Sequence, residues 1–415
     1  MSEKKVKNRL KEILEIEKKL NGIKDVDVLL ESLLTYARHI CNADAGSIYE
    51  YDSNKNQLKI LFGQNDTQQA KLQEGEKLPY SSFEFMATTS SISGYCALFN
   101  KVINIDDVYN MPRTLEDGSE RPYNFNSSSD VATNYHTKSM LTIPLQTPGG
   151  KVLGVLQIIN AQDEEGNVIP FQENQQLDVL RFASDASHAL DTAYMTKYMV
   201  HRMAKMAAFR DPKETAEHVE RVAKFSVEIY DRYASNKNIP FEQRAKFRDT
   251  LSLAAKCHDF GKVGITDLIL KKPGAFTEHE RAVMKSHTCL GAQLFPETND
   301  DLDVMAREIC LRHHEHWDGG ERAYPGIVDW ENCQIGEELE CGKHLKGEEI
   351  PLSARIVALA DVFDALSHQR VYKEAWSLEN TFNEIERQRG RQFDPDIVDA
   401  FLQIKERIIK INSVL

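Results

Sequence analysis

The sequence contains no long apolar run and no excess of positive charge. No segment approaches the roughly 20 apolar residues that a membrane-spanning helix requires, and the opening stretch MSEKKVKNRLKEILEIEKK lacks the apolar core of a secretory signal. The 51 Lys and Arg residues stand against 64 Asp and Glu, which gives a net charge of −13. This balance argues against broad binding to nucleic acid or to anionic membranes. An anionic substrate would therefore need local cations, which bound metal ions can supply.

The cysteines are also too scattered for a disulfide framework. Seven occur in 415 residues, an odd number without regular spacing, and this usage favours reduced thiols. We therefore expect a cytoplasmic protein. The length is sufficient for two or three domains with substantial cores.

The first part of the chain changes from helical to alternating periodicity. An amphipathic helix is expected within residues 1–24, which either dimerises or packs on its own domain, and a second helix is expected over residues 25–41. After them, five apolar runs bounded by turn residues predict strands at residues 47–52, 57–63, 102–105, 139–146 and 151–160. Helices beside such a set of strands predict an α+β domain with an antiparallel sheet flanked by helices.

Several segments of this part resemble a GAF domain, a small-molecule sensor fold. They are SISGYCALFNKVINIDDVYN (91–110), YHTKSMLTIPL (135–145) and KVLGVLQIIN (151–160). The resemblance implies a sensor domain over residues 25–172 with an unknown small-molecule ligand, which the polar stretch 112–134 would border. In cyclic-nucleotide-binding members an Asn-Lys pair ends the last strand, whereas here Ala161 follows Asn160. A GAF domain used only for packing and dimerisation remains the alternative.

Residues 173–210 contain no Pro or Gly and keep apolar residues at steps of three and four. This pattern predicts one long connecting helix, which transmits displacement better than a flexible linker. We expect such a helix to support a homodimer.

The second part of the chain concentrates side chains that bind metal ions. The donors are an adjacent His258-Asp259 pair, a single His287, an adjacent His313-His314 pair and, in an apolar helix at residues 352–367, Asp361. Glu214 and His218 are four residues apart and would share one helix face. Imidazoles and carboxylates within apolar helices are costly unless they bind a partner, so a multinuclear metal site is expected, in which Asp259 can bridge two ions.

In order, these motifs match the HD phosphohydrolase superfamily and closely resemble its HD-GYP subfamily, through HHEHWDGG followed by Tyr324-Pro325, IPLSARIVALADVFDALS, RVYK and RQFDPDIVDAFL. The resemblance implies an all-α helical bundle over residues 211–415 that hydrolyses cyclic di-GMP to pGpG and/or GMP with a metal-bridged hydroxide. It implies two or three divalent ions, iron or else manganese, held by Glu214, His218, His258, Asp259, His287, His313, His314 and Asp361. Asp259 and Lys262 would be catalytic, and Arg370, Lys373, Tyr324 and Asp364 would bind substrate. Asp364 could instead hold a histidine or serve as the general acid.

Two departures from the subfamily motif bear on the substrate. Ala323 replaces the motif glycine before Tyr324, and an insertion of about residues 327–349 follows. The insertion contains Cys333, Cys341 and His344, whose loose spacing favours an ordinary loop over a metal knuckle. It could cover the site as a lid. A phosphodiesterase for another cyclic dinucleotide, such as cyclic GMP-AMP, and a non-hydrolysing cyclic di-GMP receptor therefore remain alternatives.

Overall fold

A computed structural model describes residues 26–72, 83–115, 117–147, 149–211, 215–296, 300–368 and 375–414, together with Glu15, Leu20 and Ile23. The helix predicted within residues 1–24 therefore lies almost wholly outside the described residues. The chain divides into two compact units, Met1–Met195 and Thr196–Leu415.

The first unit is built on an antiparallel sheet of seven strands. The described strands are β1 (Ala43–Asp52), β2 (Gln57–Asn65), β3 (Glu84–Met86), β4 (Ile103–Ile105), β5 (Met140–Gln146), β6 (Val152–Gln162) and β7 (Val168–Ile169). Their order is β3-β2-β1-β6-β5-β4, with β7 paired to β6, and every pair is antiparallel. The predicted α+β class is confirmed. The sequence analysis missed β3 and β7 because runs of three and two residues show no periodicity.

Helices cover both faces of this sheet. They are α1 (Val26–Cys41), α2 (Asp66–Gln69), α3 (Ile92–Phe99), α4 (Ser128–Thr133) and the start of α5 (Glu173–Arg210). Leu141, Ile143 and Leu145 of β5 share a core with residues of α1 and α5. Met140 on the same strand belongs to a second core with residues of α3. The period of two along β5 therefore serves two cores, one on each face.

The polar stretch 112–134 packs on the second core. Leu115, Tyr123 and Phe125 contact or belong to that cluster. Asn160, near the end of β6, holds the part of this connection that precedes β5. It has a left-handed φ of 56°, its Oδ1 accepts from the Lys138 backbone N at 2.7 Å and its Nδ2 donates to the His136 carbonyl at 2.8 Å. Its amide is therefore engaged in the fold.

Helix α5 is continuous over 38 residues, the range in which the sequence has neither Pro nor Gly. Among the described helices, none combines the length and the apolar character that crossing a bilayer requires.

The second unit is a bundle of helices, without a named strand among its described residues. The helices are α6 (Ala216–Asn236), α7 (Phe241–Ala254), α8 (Asp267–Leu270), α9 (Glu278–Lys285), α10 (His287–Ala292), α11 (Asp301–Arg312), α12 (Leu352–Ser367), α13 (Leu378–Arg387), α14 (Pro395–Gln403) and α15 (Lys405–Val414). Phe225, Phe363 and Phe401 are fully buried where α6, α12 and α14 meet. The Phe363 ring lies 5.2 Å from that of Phe225 and 5.1 Å from that of Phe401. This aromatic contact fixes α12, which carries Asp361, against α6, which carries His218.

Helix caps position two of the predicted donors. The Thr215 side chain accepts from the His218 backbone N at 3.1 Å, so α6 begins at Ala216 and His218 lies in its first turn. Glu214, which was expected to share a helix face with His218, lies outside the described residues. A capping box of Thr277 and Glu280 opens α9, and α10 with His287 follows α9 directly.

Candidate metal centre

His258 and Asp259 lie between two short 3-10 segments that follow α7. These segments are Ala255–Cys257 and Phe260–Gly264. The His258 Nδ1 donates to the Ala255 carbonyl at 3.0 Å, which directs Nε2 away from the helix end. The tight turn thus presents an imidazole and a carboxylate from adjacent residues, which a regular helix would point in different directions.

Seven of the predicted ligands form two donor groups. Within each group the donor atoms lie within 4.8 Å of one another. The first group consists of Asp259, His287, His313 and His314, and the second of His218, His258 and Asp361. Most of these side chains are buried, with His258 at 0% and His287 at 1% exposure. His313 is the C-terminal cap of α11, and His314 follows it. Because the chain leaves the helix at this point, both adjacent side chains can contribute to one group.

The Asp259 carboxylate lies between the two groups. Its Oδ2 is 3.3 Å from His258 Nε2 in the second group. Its Oδ1 is 3.2 Å from His287 Nε2 and 3.7 Å from His313 Nε2 in the first group. One carboxylate therefore faces imidazole nitrogens of both groups with separate oxygens, which is the arrangement of a bridging ligand.

The hydrogen bonds of His287 and His313 determine which ring nitrogen of each residue carries the proton. The His287 Nδ1 contacts the Met284 carbonyl at 2.7 Å, and the His313 Nδ1 contacts the Ile309 carbonyl at 2.9 Å. A carbonyl only accepts, so each Nδ1 carries the proton and each Nε2 carries a lone pair. Both Nε2 atoms are buried without a hydrogen bond to any residue that the structure describes. Such nitrogens are costly to bury unless they bind a cation, so these residues fit a divalent metal ion.

The pKa shifts in the cluster favour the protonation states that bind a metal ion. Burial alone would raise the pKa of Asp259, but Lys262 and His258 outweigh burial and hold that pKa well below its usual range. Burial lowers the pKa of His313, and burial with the neighbouring His313 and His287 lowers the pKa of His314. At neutral pH the site therefore presents Asp259 as an ionised carboxylate and His313 and His314 as neutral imidazoles, the forms that bind metals.

Asp364 orients His218 and does not face a substrate. Its Oδ2 is 2.7 Å from His218 Nδ1 and 3.0 Å from Arg221 Nη2. Its Oδ1 is 2.5 Å from Arg221 Nε and 3.1 Å from His368 Nδ1. The side chain is 2% exposed and both oxygens are occupied, which corrects the expectation that Asp364 binds substrate or acts as the general acid. The second expectation, that it holds a histidine, describes the geometry.

Lys262 lies beside the donor groups, next to an acid that the sequence analysis did not consider. Its Nζ is 2.7 Å from Asp259 Oδ2 and 3.7 Å from Asp211 Oδ2. Asp211 is 2% exposed and stands directly after the end of α5 at Arg210. Arg221 was missed as well, although its position three residues after His218 places both on one face of α6.

Tyr324 closes one side of the first donor group. Its ring stacks on His314 at 4.5 Å between centroids, and its backbone N donates to the His314 carbonyl at 3.2 Å. Burial raises the pKa of its hydroxyl. Ala323, which replaces the motif glycine, is buried and has no positive φ, so the replacement needs no unfavourable backbone conformation.

Three predicted site residues lie outside the described part of the chain. They are Glu214, Arg370 and Lys373. Cys333, Cys341 and His344 of the insertion do not form a donor group in the described ranges, where the two groups above account for all such clusters.

Comparison with known domains assigns both halves of the chain. A GAF domain model matches residues 25–190, an HD domain model matches residues 215–366, and a second HD domain model matches residues 341–397. The chain therefore contains a GAF domain followed by an HD domain.

Curated relatives match this chain over part of their length. A cyclic di-GMP phosphodiesterase of Vibrio cholerae is 34% identical over 269 residues, covering 63% of this chain and 49% of the relative. One of Thermotoga maritima is 36% identical over 206 residues, covering 50% of this chain and 48% of the relative. A 3'3'-cGAMP-specific phosphodiesterase 2 of Vibrio cholerae is 34% identical over 226 residues, covering 54% of this chain and 38% of the relative. The chain spans about half the length of the first two relatives.

The close approach at Gly261 generates a prediction. A Cβ at Gly261 would lie 1.8 Å from the His287 carbonyl oxygen and 2.4 Å from the Gly291 N. Gly261→Ala must therefore separate the Asp259 turn from α10, and we expect a loss of about 3 kcal/mol or more of unfolding free energy together with reduced metal content. Chemical denaturation and metal analysis measure the two effects.

Gly264→Ala is the matched control in the same 3-10 segment. Its Cβ would come too close only to the end of the Leu290 side chain, Cδ1 at 2.7 Å, which can move, and would make an ordinary contact with Ile335 Cγ1 at 3.5 Å. We expect a loss below about 1 kcal/mol and normal metal content. Equal effects of the two substitutions would contradict the packing argument.

Proposed function

We propose that this chain, with its GAF domain and its HD domain, is a metal-dependent phosphodiesterase that hydrolyses cyclic di-GMP to pGpG and/or GMP. The position of the Asp259 carboxylate between two groups of donor atoms carries the proposal. A pair of metal ions at such a bridge suits the displacement of an oxygen at phosphorus. The substrate is proposed from the names of the relatives, two of which are cyclic di-GMP phosphodiesterases.

The two donor groups would hold the metal ions. When bound, divalent ions lower the pKa of a water molecule and offset negative charge on phosphate oxygens. Histidine nitrogens with carboxylate oxygens suit iron, and manganese as a substitute. Glu214 would add a ligand for a third ion. We also propose a cytoplasmic location, because all seven cysteines are free thiols, which suits a reducing compartment.

Lys262 is the proposed catalytic cation of the chain itself. Its ammonium lies 2.7 Å from Asp259 Oδ2, at the edge of the space between the donor groups. From there it can donate to a non-bridging phosphate oxygen as charge develops in the transition state. Asp211, 3.7 Å from the same nitrogen, forms a second ion pair that directs the Lys262 ammonium at the site.

Substrate recognition would involve aromatic and basic side chains around this centre. The Tyr324 ring stacks on His314 and can limit how a guanine or ribose approaches the metal ions. Arg370 and Lys373 remain proposed phosphate ligands, since a guanidinium forks onto two phosphate oxygens.

The GAF domain would regulate the HD domain through α5. This helix runs without a break to Arg210, eight residues before His218, so a displacement along it can reach a metal ligand. The GAF ligand is proposed only as a small molecule. Thr192→Pro should uncouple any such ligand effect on the hydrolysis rate and leave metal content unchanged; a ligand response that survives would contradict this route.

A homodimer through α5 is the proposed assembly. Met195, Met199, Met206 and Phe209 are each more than half exposed on the second half of the helix. Spacings of four, seven and three residues place these side chains along one side of the helix. A second copy of the same helix can pack there symmetrically. In sedimentation velocity Met199→Glu should weaken dimerisation, whereas Leu268→Glu, at an exposed site on α8, should not. A wild-type monomer at micromolar concentration would contradict the assembly.

The activity is tested with protein reconstituted anaerobically with iron or manganese. We expect cyclic di-GMP to be converted to pGpG or GMP, followed by chromatography. Asp259→Asn should lose both metal and activity. Lys262→Met should retain metal and lower kcat by roughly 10²-fold, while Lys271→Met, a salt-bridged surface control on the same unit, should leave kcat unchanged.

The outcomes separate this proposal from its alternatives. Unchanged cyclic di-GMP in metal-replete protein contradicts the hydrolysis of this substrate, and tight binding without turnover would indicate a receptor. A relative named as 3'3'-cGAMP-specific favours a second candidate, in which the same site hydrolyses cyclic GMP-AMP. Rates on a panel of both dinucleotides decide between them.

A further inference from the structure

The insertion at residues 327–349 is packed onto the helices of the metal centre. Gln293, directly after α10, donates its Nε2 to three carbonyls of the insertion, those of Trp330 at 2.9 Å, Glu331 at 3.1 Å and Cys333 at 2.7 Å. The Leu339 N donates to the Ala282 carbonyl of α9 at 3.1 Å. The insertion is therefore anchored at several points.

An apolar cluster joins the insertion to α10 and α11. Cys289, Ala292 and Leu311 are buried there, and the insertion covers them with residues that include Trp330, Cys333 and Leu339. The Arg307 guanidinium lies over the Trp330 ring at 5.5 Å. This cluster brings Cys333 close to Cys289. Cys289 lies two residues after His287.

Two thiols meet in this cluster. Cys289 and Cys333 are both free, the first buried and the second partly exposed. Both pack in the apolar cluster between the insertion and the helices α10 and α11. The Cys333 backbone is held independently by Gln293, and Cys289 is held by its helix, so the contact is fixed from both sides. Cys333 is accessible to a dissolved oxidant and has its reaction partner beside it.

The other cysteines lack this combination of features. Cys257 and Cys310 are also near each other, but they are 1% and 0% exposed, and the Cys310 thiol donates to the Cys257 carbonyl at 3.0 Å. Cys341, in the same insertion, contacts the Lys285 ammonium at 3.4 Å. Of the seven cysteines, all of which lie in described ranges, Cys289 and Cys333 are therefore the pair placed for exchange with a small molecule.

We propose that Cys289 and Cys333 are a redox-active pair, which a small-molecule disulfide oxidises to an intrachain disulfide that tethers the insertion to α10. The Cys333 thiolate attacks one sulphur of the oxidant and displaces the other as a thiolate. Cys289 then gives up its proton, attacks the Cys333 sulphur and releases the second small thiol. Two protein thiols and one disulfide thus become one protein disulfide and two small thiols, and two electrons pass to the oxidant.

The tether would act at the rim of the metal centre. Lys285, whose ammonium contacts Cys341 of the insertion, also lies over the Tyr324 ring at 5.4 Å. Tyr324 in turn stacks on His314. Oxidation would therefore hold the insertion in its docked position beside these residues. The proposal does not depend on the phosphodiesterase activity or on its substrate.

The test exposes the full-length chain to oxidised glutathione, blocks the remaining thiols and digests with trypsin. Cys289 falls in peptide 286–307, and Cys333 falls in peptide 323–343 together with Cys341. We expect these two peptides to be joined in mass spectrometry, with fragment ions that assign the link to Cys333. Reduction should separate them, and trypsin cleavage after Lys346 should be slower in the oxidised protein.

Single substitutions make the assignment specific. Cys289→Ser and Cys333→Ser should each abolish the linked peptides, whereas Cys341→Ser should leave their yield within about twofold. Far-ultraviolet circular dichroism verifies that each variant is folded. Glutathione bound to Cys333 without the internal link, a link through Cys341, or no reaction at all would overturn the proposal.

Discussion

The Asp259 carboxylate is the group on which the second unit depends. It is 8% exposed and faces His258 with one oxygen and His287 and His313 with the other. Burying a carboxylate among neutral imidazoles costs several kcal/mol unless cations compensate. Lys262 provides one positive charge, and the donor atoms are arranged for more. The contacts of Asp259 therefore constrain the positions of these helices in addition to the packing of the hydrophobic core.

The supporting contacts show how the fold maintains this arrangement. The donors on turns and helix ends are fixed by local bonds, such as those from the Nδ1 atoms of His258, His287 and His313 to backbone carbonyls. His218 is fixed across the bundle by Asp364, which Arg221 neutralises in turn. Because each imidazole has one nitrogen committed to the fold, the other is directed inward at little cost in conformational entropy.

The sequence predicts which potential metal donors come together better than it predicts the contacts that support them. The predicted ligands are histidines and acidic residues at recognisable motif positions. Seven of the eight are brought together in the described residues, while Glu214 lies outside them. The supporting contacts depend on tertiary packing. Several roles were expected for Asp364, Asp211 was not considered, and the position of Arg221 three residues after His218 does not reveal its pairing with Asp364. The long helix and main strands follow from periodicity, whereas the docking of residues 327–349 depends on one glutamine and a small apolar cluster.

Metal content measured on anaerobically purified variants tests most directly whether Asp259 joins the two donor groups. Wild-type protein should contain about two ions per chain, or about three if Glu214 adds a site. Asp361 belongs to one group only, so Asp361→Ala should remove about one ion. Asp259→Ala should remove more than one, because both groups lose a ligand. Equal losses in the two variants would contradict a shared carboxylate, and no metal in the wild type would contradict the site itself.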